Sequence, residues 1–160
     1  MNIRILGAFA AVALLAACSS AETPKTEPVQ PVMRGPVPGS QEDLVANVGD
    51  RIFYDFDRST VQASGRGANN MTTLDKQAAW LGQWKQNNVQ IAGNADERGT
   101  AEYNIALGQK RANAARDYLV AKGVAGTRIS TISYGKDRPV ALGSSEDAWS
   151  QNRNAITSVR

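Results

Sequence analysis

Five of the chain's six prolines fall within residues 19–40, SSAETPKTEPVQPVMRGPVPGS, a stretch with few large apolar side chains. Proline fixes φ and removes a backbone donor, so neither a helix nor a central strand runs through such a segment. It also cannot bury enough apolar surface to offset its ordering entropy. It reads as an extended tether, reaching roughly 70 Å at ~3.1 Å per residue, with a coil average nearer ~25–30 Å. Any globular fold in this 160-residue chain must therefore be built by residues 41–160. That is enough for one domain with a sizeable core and hardly for two.

Ahead of the tether, residues 1–17 (MNIRILGAFAAVALLAA) carry one charge, Arg4, and then an apolar run from Ile5 to Ala17. The run is shorter than the ~20 residues that span a bilayer, so it reads as a secretory signal rather than a permanent helix. Leu15-Ala16-Ala17-Cys18 resembles the bacterial lipobox. That resemblance implies that Cys18 is diacylated, becomes the new N-terminus and is then N-acylated. One acyl chain holds only marginally, at about 0.8 kcal/mol per buried CH2, whereas three would fix the protein to a membrane. Ser19 stands where an aspartate commonly retains lipoproteins in the inner membrane, which points to the outer membrane of a Gram-negative cell. The expected layout is a signal over 1–17, lipidated Cys18 and tether over 18–40, and a periplasm-facing domain over 41–160.

Absences narrow the chemistry. The sequence contains no histidine and only one cysteine, which excludes Ser-His-Asp and Cys-His catalysis, His-ligated metal sites and a disulfide framework. Lys and Arg number 18 against 15 Asp and Glu, a net +3. They are scattered among acids rather than gathered as in nucleic-acid binders. No cofactor, metal or nucleic acid is expected.

From Gln41 onward the composition turns globular. Residues 41–48 suit a short lead-in helix. Residues 51–57, RIFYDFD, are aromatic and β-prone, and residues 58–70, rich in Ser, Gly and Asn, form a loop. A helix is expected over about 72–86, with Met71, Leu74, Ala78 and Leu81 on one face. Trp80 and Trp84 beside it are read as packing residues rather than sugar platforms. Residues 89–93 make the second strand. Thr100 then caps a second helix, with Glu102 in its first turn and Gly123 at its end. The stripe Ala101, Ile105, Gly108, Ala112, Ala115 and Leu119 is small, so this helix should lie close to the sheet. Strands over 128–134 and 154–159 follow, with a short helical piece near 145–151. The order β-α-β-α-β-β implies an α/β two-layer domain, an α+β sandwich whose mixed sheet is covered by helices on one face.

The charged turn Asp96-Glu97-Arg98 admits three readings. As a glycosidase-type pair Asp96 and Glu97 fail, because adjacent side chains diverge and a working pair faces across ~5–10 Å; Asp55 and Asp57 are the other carboxylate candidates. A solvated strand-to-helix turn accounts for the charge without any ligand. In the third reading, Asp96 takes an ammonium while Arg111, at the edge of the buried stripe, grips a carboxylate through two parallel hydrogen bonds. Sequence alone does not show that the two side chains converge.

Three segments, GNADERGTAEYNIALGQKRANAARDYLVAKGV, ISYGKDRPVALG and AWSQNR, closely resemble the OmpA C-terminal-like domain family, in particular its lipid-anchored, peptidoglycan-associated branch. The likeness covers roughly residues 50–158. It implies a non-enzymatic outer-membrane lipoprotein that binds peptidoglycan through the meso-diaminopimelate of the stem peptide, with TolB as a second partner in the Tol-Pal system and a role in constriction at division. The alternatives are a TolB scaffold with weak wall affinity and a wall hydrolase. By the family motif, Asp96 and Arg111 read the ligand. Tyr54, Asp55 and Phe56 form the floor, partly through backbone groups. Thr100, Tyr103, Asn104 and Leu107 line or support the pocket, and Asn152 and Arg153 match the Asn-Arg pair near the C-terminus. Two positions depart from the family pattern. Asn94, counted among the expected ligand-binding residues, replaces the usual histidine and cannot titrate near neutral pH, and Asn154 replaces a common second arginine. Glu97 and Arg98 are then rim or loop-shaping residues, and the three consecutive charges are expected not to act together.

Overall fold

The computed structural model describes residues 35–160; the signal, Cys18 and most of the tether lie outside them. A short helix α1 (Gln41–Asp43) continues as a wider turn over Leu44–Val48. Then come β1 (Arg51–Phe53), α2 (Asn70–Gln83), β2 (Val89–Asn94), α3 (Ala101–Ala121), β3 (Ile129–Gly135), α4 (Glu146–Asn152) and β4 (Asn154–Val159). No helix among the described residues is long and apolar enough to cross a membrane.

The four strands form one mixed sheet in the order β1-β4-β2-β3. β2 and β3 run parallel because α3 carries the chain back between them, and β4 inserts antiparallel to both β1 and β2. Helices α2 and α3 pack on the sheet. Leu74, Leu81, Ile91 and Leu119 are almost wholly buried between the layers, each contributing about 1.5–3 kcal/mol. The small residues of α3 permit the close approach expected of them. A Cβ on Gly93 would collide with the Gly108 carbonyl, and one on Gly108 would come within 2.7 Å of the Gly93 oxygen.

Four boundaries and faces differ from expectation. β1 stops at Phe53 rather than running to Asp57, because its ladder with β4 ends at the pair Phe53 and Asn154, where β4 begins; the chain then turns at Asp57, where φ is 55°. α2 starts at Asn70 and its buried face is rotated by one residue, so Met71 is exposed while Asn70, Leu74, Gln77 and Leu81 are inside. Polar atoms explain the rotation. Asn70 pairs with both the N–H and the carbonyl of Phe53 on the sheet's edge, and Gln77 bridges Gly49 and Thr157. On α3, Ala101 and Ile105 are exposed and Asn104 takes the buried place in the first turn. Trp80 donates to Asp43 at 2.8 Å, and a Cβ on Gly39 would meet the Trp84 ring at 2.9 Å, so both tryptophans pack the lead-in. Gly39 also bonds Asp43 and Asn87, so the folded part reaches back at least that far.

Candidate functional site

A register shift at the end of β2 sets where the site lies. Asn94 pairs with Gly135, and the Ala95 N–H donates to the Gly135 carbonyl at 2.7 Å. The chain then leaves the sheet, Gly99 adopts φ 92°, and Thr100 caps α3 by accepting from the Tyr103 N–H at 3.2 Å. Asp96 is left at the mouth between β2 and α3, beside a cavity of about 230 Å³. Phe56, Asp57, Ala95, Asp96, Arg98, Gly99, Tyr103, Asn104, Leu107 and Arg111 line it.

Arg111 comes from α3 and has no exposed surface, rather than lying at the edge of the stripe. Its Nε donates to the Arg58 carbonyl at 2.8 Å, its Nη1 to Asn94 at 2.8 Å and its Nη2 to Asp55 at 3.3 Å. The Tyr54 ring lies 5.2 Å from the guanidinium, and the Tyr54 hydroxyl donates to the Arg111 carbonyl. A guanidinium has five N–H donors, so two are left over. No carboxylate stands at ion-pair distance from it among the described residues. Burial pulls its pKa down to about 10, so it stays cationic at neutral pH. Arg111 is thus a buried cation on a cavity wall without an anion.

Asp96 is in the opposite condition. Its Oδ1 accepts from the Arg98 N–H and Nε at 3.2 Å each, and its Oδ2 from Arg98 Nη2 at 2.6 Å and Arg153 Nη1 at 3.3 Å. Burial alone would raise the Asp96 carboxyl; the Arg98 hydrogen bonds, side chain and backbone, and then Arg153 outweigh it and hold the pKa below the ordinary carboxylate value. Arg98 lies over the Phe56 ring at 4.1 Å and the Trp149 ring at 4.0 Å. Glu146 of α4 accepts from Arg153 at 2.6 Å and sits 3.9 Å from Arg98, closing a ring of two acids and two arginines. Asp96 and Arg98 therefore act together, contrary to expectation, while Glu97 stays outside the ring and accepts from Trp149. A non-helical turn closed by Gly99 folds residue 98 back over residue 96.

The remaining expected residues divide. Phe56, Tyr103, Asn104 and Leu107 line the cavity. Asn104 also donates to the Arg98 carbonyl at 2.9 Å, and Tyr103 donates to Asp57. Asp55 offers the cavity side only its carbonyl, while its carboxylate caps Ser64. Tyr54 lies beneath Arg111, and Thr100 acts as a cap outside the lining. Asn152 holds the loop at Val140 and Ala141 through both atoms of its amide; Arg153 reaches Asp96 from behind. Asn94 gives Arg111 its carbonyl, but its side chain turns away and donates to Asn154 at 2.8 Å. Arg98, expected at the rim, lines the cavity as well as closing over Asp96; Trp149 and Glu146 have no counterpart among the expected site residues. Glu146 and Trp149 sit some fifty residues along the chain, and only β4's return between β1 and β2 brings α4 to the site.

Residues 53–153 match the OmpA family. The chain is 48% identical over 158 residues to the peptidoglycan-associated lipoprotein of Mesorhizobium japonicum, covering 97% of this chain and 90% of that one. It is 39% identical over 153 residues to the protein of the same name from Pasteurella multocida, covering 96% and 95%. The crystal structure of the peptidoglycan-associated lipoprotein from Burkholderia pseudomallei has a TM-score of 0.66 at 38% identity, covering 74% of this chain and 100% of that one. The chain belongs to the OmpA family.

Proposed function

We propose that the cavity binds the diaminopimelate zwitterion of peptidoglycan, and that the chain staples an outer membrane to the cell wall through lipid at Cys18. Arg111 carries this reading. A buried, uncompensated cation is costly, and two spare N–H donors beside an open cavity suit an incoming carboxylate. The ligand's ammonium would go to Asp96. The relatives' names, peptidoglycan-associated lipoprotein, support the same ligand class.

The site is poorly made for hydrolysis. Asp96 is held ionised between two arginines. The Glu97 carboxyl is also lowered, chiefly by its hydrogen bond with Ser144 and then by Trp149. Neither has the raised pKa of a general acid. Binding to TolB and a part in the Tol-Pal system and in division rest on the family resemblance.

Sedimentation tests the proposal. The full-length chain, solubilised in detergent, should pellet with purified sacculi and release no muropeptides. Failure to pellet, or pelleting unchanged in Asp96→Ala, contradicts it.

A further inference from the structure

We infer that Arg98 is an internal competitor for the ligand's ammonium: its guanidinium closes the Asp96 carboxylate until the ligand displaces it toward Glu146. This rests on the reading of Asp96 as the ammonium site. A carboxylate offers about four acceptor positions, and all four on Asp96 are filled by its own chain, three of them by Arg98. No ammonium can enter without a vacancy.

Of the two arginines, Arg98 is the one free to leave. Its side chain is 31% exposed, against 7% for Arg153. Arg153 is further tied to the Tyr54 carbonyl by Nε at 3.0 Å. The backbone around Arg98 is pinned, since Asn104 holds the Arg98 carbonyl and Lys136 the Gly99 carbonyl at 2.8 Å. The guanidinium therefore moves while the loop stays. A receiver stands ready: Glu146 Oε1 is occupied by Arg153, but Oε2 faces Arg98 at 3.9 Å. Phe56 and Trp149 supply faces along which the cation can slide without losing its stacking. Charge is conserved, since one cation replaces another at Asp96. A ligand bearing only a carboxylate could reach Arg111 but would leave Arg98 in place, so only a ligand that also carries an ammonium displaces the competitor.

The test is calorimetric titration of the detergent-solubilised full-length chain with the tripeptide L-Ala-γ-D-Glu-meso-diaminopimelate, wild type against Arg98→Ala. Arg98→Gln, which keeps the aliphatic stem, serves as a second variant should the first melt. Removing the competitor should tighten binding about three- to tenfold. Tripeptide should also change Trp149 emission in the wild type, and this change should vanish in Arg98→Ala and in Trp149→Phe. Binding by the variants alone would equally support the competitor. Unchanged or weaker binding in folded variants, with the wild type still binding, overturns the inference, makes Arg98 a ligand reader and leaves the wall-binding proposal standing. No binding by any form removes that proposal and the inference with it.

Discussion

The Asn94 amide donates to the Asn154 side-chain oxygen at 2.8 Å across β2 and β4, so the two positions read from the sequence as departures from the family pattern meet in one hydrogen bond. Asn94 and Asn154 are both buried, and the pair lies on the far side of the sheet from the cavity. Changing either to Ala should cost about 1–3 kcal/mol by leaving its partner unsatisfied. A double-mutant cycle in chemical denaturation should show coupling of at least ~0.5 kcal/mol. Tripeptide affinity of Asn94→Ala should stay within about twofold, since Arg111 uses only the Asn94 carbonyl.

Gly93 and Gly108 set the helix-to-sheet distance. Gly93→Ala drives a methyl into the Gly108 backbone, and Gly108→Ala meets both Ser133 and the Gly93 carbonyl. Each should lose about 1–3 kcal/mol or more. Because Arg111 follows Gly108 by less than one turn of α3, the folded fraction should also bind ligand more weakly. Denaturation midpoints and calorimetry on the same samples check both.

Arg111→Lys keeps the charge but loses the planar fork that serves three carbonyls. It should destabilise the domain by about 1–3 kcal/mol and weaken tripeptide binding by at least about tenfold. Near-wild-type affinity in this variant would show that the spare donors are not used.

The pH dependence follows from Asp96. Its folded pKa lies below the ordinary carboxylate value, so its contribution to stability is fully present above about pH 4 and is lost as pH falls through the depressed folded value. Asp96→Asn should remove that part of the acid transition. The chain has no histidine, so stability and affinity should stay level between about pH 5.5 and 8. A slope in that window, measured by thermal melting across pH, contradicts the assignment.

Periodicity and capping made most of the fold legible. Thr100, Gly123 and the small stripe of α3 mark that helix because local geometry alone determines caps and close approach. The faces of α2 were misjudged because Asn70 and Gln77 are buried by polar pairing with the sheet, which hydrophobic periodicity does not register. Asp96 could be placed from the strand-to-helix turn, but Arg98's return over it depends on the Gly99 turn and on two rings, one of them from α4. Long-range convergence of that kind leaves no spacing signal in the sequence.

The most direct measurement compares two tripeptides by calorimetry, L-Ala-γ-D-Glu-meso-diaminopimelate and its L-lysine counterpart. They differ by the single carboxylate assigned to Arg111. The diaminopimelate peptide should bind at least about tenfold more tightly, a difference of about 1.4 kcal/mol. Equal affinity for the two would contradict the site as described.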